Sequence, residues 1–317
     1  MFRPQFQITQ PLLATLKRIA VQVYVLNKQR LTAEAESALR KEALDLAAAA
    51  AGHGDAKAEA NYRRTLMELG DTPAEAFDLQ LLLRLHYRLS GDLLPEDRRG
   101  RLRRAASVDG NGLAGDTAFE PPEPKVVPIM LNDLATFVDE QRPTLDPVLL
   151  AGIFHRQLLL VRPFTAANEP LAWLATRILL SGLGLARIDL LALEDRFQAD
   201  RQAYLTALGT RGNYYEVAGI LQFTPWLAYF ANGILAELEA LENRQRRFRA
   251  SPATALRAHH RAILDYVDEH GFITDKEYSQ LTDRAKATRS LDFKKLMELD
   301  LLVREGKGRG TFYRRKM

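Results

Sequence analysis

Two stretches of this 317-residue chain combine residue types and spacing that could do chemistry. Near the C-terminus stand Arg284, Lys286, Thr288, Arg289 and Ser290, followed by Lys307 and Arg309 in the glycine-rich run GKGRG. Cations and short hydroxyls on a helix start suit base edges and phosphates, and glycines let backbone approach a phosphate closely. The second stretch is the loop RPFTAANEPLAW, residues 162–173, between two strongly apolar runs. Unpaired N–H groups gather at the start of the helix that follows it, around Asn168, and such a terminus attracts anions. The six histidines show no H-E-x-x-H or similar spacing, so no metal site is expected. His155, inside an apolar helix, reads as a hydrogen-bonded core residue rather than a base. Ser-His-Asp order, Gly-x-Ser-x-Gly and Walker-type loops are all absent, and with no cysteine neither thiolate catalysis nor a thiolate metal site is open to the chain.

Composition sets the frame for both stretches. Lys and Arg number 44 against 40 Asp and Glu, a net charge of +4, with 47% hydrophobic and 26% charged residues. That is globular usage, and the length implies two or three domains. No apolar run is long enough to cross a bilayer, and MFRPQFQITQP lacks the basic-then-apolar layout of a secretory signal. A soluble cytoplasmic protein without a membrane partner is the expectation. The charge is uneven: Arg284–Lys316 holds 11 basic and 4 acidic residues, which points to a separate module with a polyanionic partner.

The elements that must position these residues are mostly helices. Pro11–Asn27 and Ala33–Ala51 carry helical periodicity, and Thr72-Pro73-Ala74-Glu75 is a capping box opening a helix through LQLLLRLHYRL. Glycines and prolines between Gly91 and Pro128 exclude a long helix. A short strand around Val108 and the DGNG turn predict a β-hairpin flap there. Helices resume at Val127–Glu140. Asp146-Pro147 then caps LLAGIFHRQLLLV, apolar nearly all round and therefore central, which Pro163 should end; Leu171–Leu180 is its partner.

Leu227–Arg249 reads as a long helix whose end, 242–250, is a linker. In 251–317, Ser251-Pro252 caps a helix to Gly271, Thr274–Glu277 is a second capping box, and Arg284–Leu299 is a third helix, with Leu291, Leu296 and Leu299 facing inward. LLVRE and TFYRR then flank GKGRG as a hairpin. Three helices and a hairpin describe a winged helix-turn-helix, whose last helix would enter the major groove of DNA. Such modules often pair to read half-sites, which adds a homodimer to the expected partners.

Around residues 162–173 the chain resembles the Fic (filamentation induced by cAMP) family, whose signature is HPFx[DE]GN[GA]RxxR. The G-x-L-R stretch Gly100–Arg103, the EPPEPKVVPIM segment, Thr224-Pro225-Trp226 and FITDKEYSQLT…LVREGKGRGTFY extend the resemblance over nearly the whole chain. It implies a mainly α fold: a Fic-type helical bundle over 72–241 with a small hairpin flap, an N-terminal helical region (1–71) packed on it, and a C-terminal winged helix. Family members mostly transfer AMP from ATP to a hydroxyl of a target protein.

This sequence departs from that signature where the chemistry lies. Of nine constrained positions only Pro163, Phe164 and Asn168 agree. Arg162 replaces the base, and a guanidinium cannot take a proton at neutral pH. Ala166 replaces the Mg²⁺-holding acid and offers no ligand. Ala167 and Glu169 stand where small residues are expected, while Pro170 and Trp173 replace the phosphate-binding arginines. Glu169 at the helix start would repel a triphosphate, with Asn168 kept as N-cap. The inhibitory [ST]xxxE[GN] motif of many relatives has its counterpart in Leu46–Gly54, which has neither the hydroxyl nor the glutamate. Arg162 and Glu169 are expected to pair across the loop.

The reading this supports is a catalytically inactive Fic-like protein with a DNA-binding winged helix, acting as a transcriptional regulator or accessory factor without a cofactor. Two alternatives stay open. One is a protein adenylyltransferase with a non-standard site, needing ATP and Mg²⁺. The other is an adaptor that binds a target protein through the Gly91–Pro124 flap.

Overall fold

The computed structural model describes residues 2–70, 77–105, 119–209, 212–218, 221–250, 256–306 and 308–316, the side chains of 217, 247–250 and 309 excepted. Contacts divide the chain into two compact units, 1–30 with 36–242, and 31–35 with 243–317. Among the described residues no helix is long and apolar enough to cross a membrane.

The first unit is helical: α1 (Gln10–Lys28), α2 (Ala33–Gly52), α3 (Ala56–Leu69), α4 (Leu79–Leu89), α5 (Val127–Gln141), α6 (Pro147–Val161), α7 (Asn168–Leu180), α8 (Leu193–Gln198), α9 (Arg201–Leu208), α10 (Tyr214–Ala218) and α11 (Thr224–Ala250). Its centre is the pair α6 and α7. Every residue of α6 from Val148 to Val161 is buried, and so is every residue of α7. An apolar surface on all sides leaves a helix no stable place but the middle of a bundle. Asp146 caps α6, its side chain accepting the Val148 N–H at 2.8 Å, as its place before Pro147 predicts. The helix ends at Val161 ahead of Pro163, as expected, and Arg162 turns into the left-handed region at φ 44°.

Helix α4 is capped by Asp78, which accepts the Leu81 N–H; the expected capping box at 72–75 lies outside the described residues. The strand around Val108 and the DGNG turn lie outside them too. The described end of the flap forms a pairing of its own. β1 (Phe119–Glu120) pairs in parallel with β2 (Gly212–Asn213), more than ninety positions away. A two-residue strand can take its backbone partner from any chain that passes it, whatever the local sequence.

In the second unit, α12 (Ala258–His270), α13 (Asp275–Leu281) and α14 (Lys286–Glu298) precede the antiparallel pair β3 (Leu302–Glu305) and β4 (Phe312–Arg315). This is the element order of the winged-helix expectation. The Thr274–Glu277 capping box forms in full, whereas α12 starts at Ala258 behind Arg257; the expected Ser251-Pro252 cap lies outside the described residues. Ile263, Leu264, Val267, Ile273, Tyr278, Phe293, Leu296 and Leu302 make the core. Leu291 does not join it. It is 63% exposed, because the inner positions of α14 go to Asp292, Phe293 and Leu296.

Candidate functional site

Residues 162–167 connect the two central helices, so the loop rests on the most buried part of the unit. Its backbone is held from several sides. Arg103, 3% exposed, donates from Nε to the Arg162 carbonyl at 2.7 Å and from Nη2 to the Val161 carbonyl at 3.3 Å and to the Pro122 carbonyl. The Arg103 N–H also reaches the Pro163 carbonyl at 2.9 Å. A guanidinium thus occupies the C-terminal carbonyls of α6, where a helix has no internal donors left and its dipole favours a cation. Burial, then the nearby Arg162, holds the Arg103 pKa below its usual value. Arg162 itself is buried, its guanidinium 5.1 Å from the centre of the Phe119 ring.

His86 supports the loop from α4. It is fully buried and stacks on Phe164 with ring centres 3.8 Å apart. Its Nδ1 accepts the Gly100 N–H at 2.9 Å, so Nε2 carries the proton and donates to the Ala166 carbonyl at 3.2 Å. Gly100 is needed there. Its φ is +62°, and a Cβ would lie 2.9 Å from the Leu83 carbonyl oxygen. Burial lowers the His86 pKa to about 4, against a weaker upward pull from the Ala166 carbonyl, so the ring is neutral at physiological pH.

Asn168 holds the loop in a way that corrects the N-cap expectation. The residue in the cap position is Ala167, in the left-handed region at φ 59°. Asn168 is the first residue of α7, and its amide clasps Phe164 instead, accepting the Phe164 N–H at 3.0 Å and donating to its carbonyl at 2.9 Å.

Glu169 stands in the first turn of α7, 4% exposed. It pairs in bidentate fashion with Arg201 of α9, whose Nη2 lies 2.8 Å from Oε2 and whose Nη1 meets Oε1. His53 Nε2 lies 3.6 Å from the same Oε2. The expected Arg162–Glu169 pair is therefore replaced: the carboxylate faces α9 and His53, while Arg162 lies over Phe119. Bidentate geometry makes this a strong charge-assisted contact. Glu169→Ala should cost about 2 kcal/mol of stability, because it strands the Arg201 guanidinium in a half-buried place; denaturant midpoints of the two proteins measure it.

Trp173 fills the space beneath. It is 2% exposed and packs on His155, Phe197 and Tyr204. Thr176 gives its hydroxyl proton to the Ala172 carbonyl, so His155 Nδ1 donates to Thr176 Oγ1 at 2.9 Å and Nε2 accepts the Tyr204 hydroxyl at 2.7 Å. Burial pushes the His155 pKa down to about 3. It is the core histidine that its place in an apolar helix suggests.

Beside the loop runs a cleft of about 740 Å³, lined by Ala166, Ala167 and Pro170 on one wall and by His53, Asp55 and Lys57 on another. The side chains at the loop do not fit Mg²⁺ with ATP. Ala166 has no ligand atom, Arg162 is a permanent cation that cannot serve as a base, and the first turn of α7 carries the chain's own buried carboxylate, paired with Arg201. Arg201, His53, His86 and Arg103 are the residues that reading the sequence did not single out for this site. Only the last has a signal there, the G-x-L-R stretch.

In the second unit, two of the seven residues expected to face nucleic acid are used internally. Arg284 pairs with the buried Asp292 (Nε–Oδ2 2.8 Å, Nη2–Oδ1 3.1 Å). Arg289 pairs with Asp275 (2.8 and 2.9 Å), which lowers the Asp275 pKa. The second contact braces α14 against α13, and the first ties the turn between them to α14. Lys286 and Ser290 are exposed at the start of α14, and Thr288 is half-buried. Lys307 and the Arg309 side chain lie outside the described residues.

Comparison with known proteins agrees with this geometry. Residues 76–180 match the model of the Fic/DOC family. The chain is 30% identical over 162 residues, half its length, to protein adenylyltransferase fic-1 of Caenorhabditis elegans, and 27% identical over 177 residues to its Caenorhabditis briggsae counterpart. It spans only 27% and 32% of those proteins' lengths. Among solved structures, a Fic family protein from Desulfovibrio desulfuricans G20 superimposes with a TM-score of 0.74 at 17% identity, over 99% of this chain and 98% of that one. Fic-1 of C. elegans (residues 134–508) superimposes at 0.54 with 19% identity over 74% of each chain. At such identities the structures establish a shared fold, and the mainly helical expectation holds. With α4 to α7 carrying the matched segment and the constrained loop at its heart, residues 76–180 of this chain are a Fic/DOC family domain.

Proposed function

We propose that this chain is a Fic-fold protein that has exchanged AMP transfer for binding, and that its C-terminal unit binds duplex DNA. One observation carries the first half: the buried Glu169 in the first turn of α7, held by Arg201, puts the chain's own carboxylate near a helix terminus that would otherwise attract a phosphate. Arg162, Ala166, Pro170 and Trp173 support it: Arg162 cannot act as a base, Ala166 offers no Mg²⁺ ligand, and Pro170 and Trp173 carry no cation to clamp a phosphate. The names of the curated relatives favour the other reading, protein adenylylation, and the side chains at the loop weigh against it. The purified chain with α-³²P-ATP, Mg²⁺ and a cell extract should label no polypeptide. Transfer of label to any protein would refute the first half.

The nucleic-acid half rests on the excess of basic residues over Arg284–Lys316 and on exposed Lys286 and Ser290 at the start of α14. Arg284 and Arg289 brace the fold and serve the surface indirectly. In a low-salt duplex titration, Lys286→Ala together with Lys307→Ala and Arg309→Ala should weaken binding about tenfold or more and flatten its salt dependence. No change on neutralising all three would remove this half. A regulator or accessory factor of transcription is the role that fits both halves.

A further inference from the structure

We infer that His259, His260 and Asp292 form a binding site for a divalent first-row transition metal ion such as Zn²⁺ or Co²⁺. Two of the residues are neighbours on the first turn of α12 and the third lies in the middle of α14, and the fold of the second unit brings them together. Nε2 of His259 lies 3.4 Å and Nε2 of His260 lies 3.5 Å from Oδ1 of Asp292, and the three ligand atoms fall within 4.8 Å of one another. A tetrahedral ion with bonds of about 2.0–2.1 Å to nitrogen and oxygen has ligand–ligand edges of about 3.3–3.4 Å. Two of the three edges are thus already set and the third is at most 4.8 Å; His259, the most exposed of the three side chains at 18%, has the most room to close it.

The ligand chemistry also fits. Two imidazoles and one carboxylate suit the borderline ions, and the fourth position is left for water. His260 and Asp292 are buried, so their positions are fixed by packing. Asp292 has the support that ligating carboxylates commonly have. Its second oxygen, Oδ2, accepts from the Tyr278 hydroxyl and from Arg284 Nε, both at 2.8 Å, leaving Oδ1 to turn to an ion.

Two features of the present arrangement oppose the ion and set its affinity. Arg284 Nη2 reaches Oδ1 at 3.1 Å and must give up that bond. Nδ1 of His260 accepts the Arg257 N–H at 3.1 Å, so its ring carries the proton on Nε2. Ion capture moves that proton to Nδ1 and releases the cap. The site is accordingly a moderate one, in which the ion competes with an internal hydrogen-bond network centred on one carboxylate.

Titration of the full chain with Co²⁺ tests this, since a four-coordinate Co²⁺ site absorbs visibly and the chain has no cysteine to do the same. One equivalent should bind with a visible band, and Zn²⁺ should both displace it and raise the melting temperature. His259→Gln, at the most exposed ligand, should weaken binding by about a hundredfold, and Tyr278→Phe by about tenfold. Arg284→Gln should tighten it several-fold by removing a cation from beside the ion. If Co²⁺ gives no band, or if His259→Gln binds as the wild type does, the inference falls. If Arg284→Gln binds no better than the wild type, the proposed competition falls with it. These readouts need no duplex and no nucleotide, so they are independent of the function proposed above.

Discussion

Lowering the pH from 7 to 5 should destabilise the first unit by about 4 kcal/mol, through two histidines alone. His86 and His155 are held neutral by burial, with pKa values near 4 and 3 against an ordinary value of 6.5. The sign follows from which state binds more protons. Between pH 6.5 and about 4 the unfolded chain is protonated at both rings and the folded chain at neither. Stability is therefore complete above pH 6.5 and is lost as the pH falls below it. At pH 5 each ring contributes about 1.5 pH units of this loss, or about 2 kcal/mol. Urea unfolding followed across this range measures it, and a free energy that stays flat from pH 7 to pH 5 would contradict the assignment. The consequence for the site is direct, since a protonated His86 can still donate to Ala166 but can no longer accept the Gly100 N–H at Nδ1. Acid should loosen the loop before it unfolds the bundle.

Arg103→Ala should cost about 3 kcal/mol and leave the loop without its anchor. The guanidinium touches four main-chain carbonyls, those of Ala105, Pro122, Val161 and Arg162. Hydrogen bonds to a charged donor are worth about 1.5–3 kcal/mol each when their partners are buried, and the α6 carbonyls would be left unsatisfied. Relaxation of the exposed flap side recovers part of that sum. Arg103→Lys is the informative control. It keeps the charge but replaces a planar fork with a single ammonium, so it should recover less than half of the loss. Equal stability of Arg103→Ala and wild type would show that the carbonyls find other donors, and that Arg103 is not what shapes the loop.

The elements that place the site were legible in the chain itself. Two apolar runs separated by one short loop, with Asp146-Pro147 ahead of the first, announce α6 and α7 because a helix apolar on all faces has one destination. The Thr274–Glu277 capping box marks α13 for a similar reason: its hydrogen bonds are local, closed within four residues. The residue types of the loop were legible too: an alanine without a ligand atom at 166 and an arginine at 162 are read directly from the sequence.

Partnership was not. Glu169 pairs with Arg201, 32 residues on, rather than with the nearer Arg162, and His86 reaches Ala166 across 80 residues. Arg284 and Arg289, which local charge assigns to a nucleic-acid surface, are drawn to Asp292 and Asp275 once α13 and α14 pack together. Residue type, periodicity and capping are properties of short segments, so the order of amino acids alone settled which helices form and which chemical groups the loop lacks. Which charge neutralises which, and which histidines are shut away from protons, depends on distances that exist only after distant segments have packed, and the tertiary structure alone decided them.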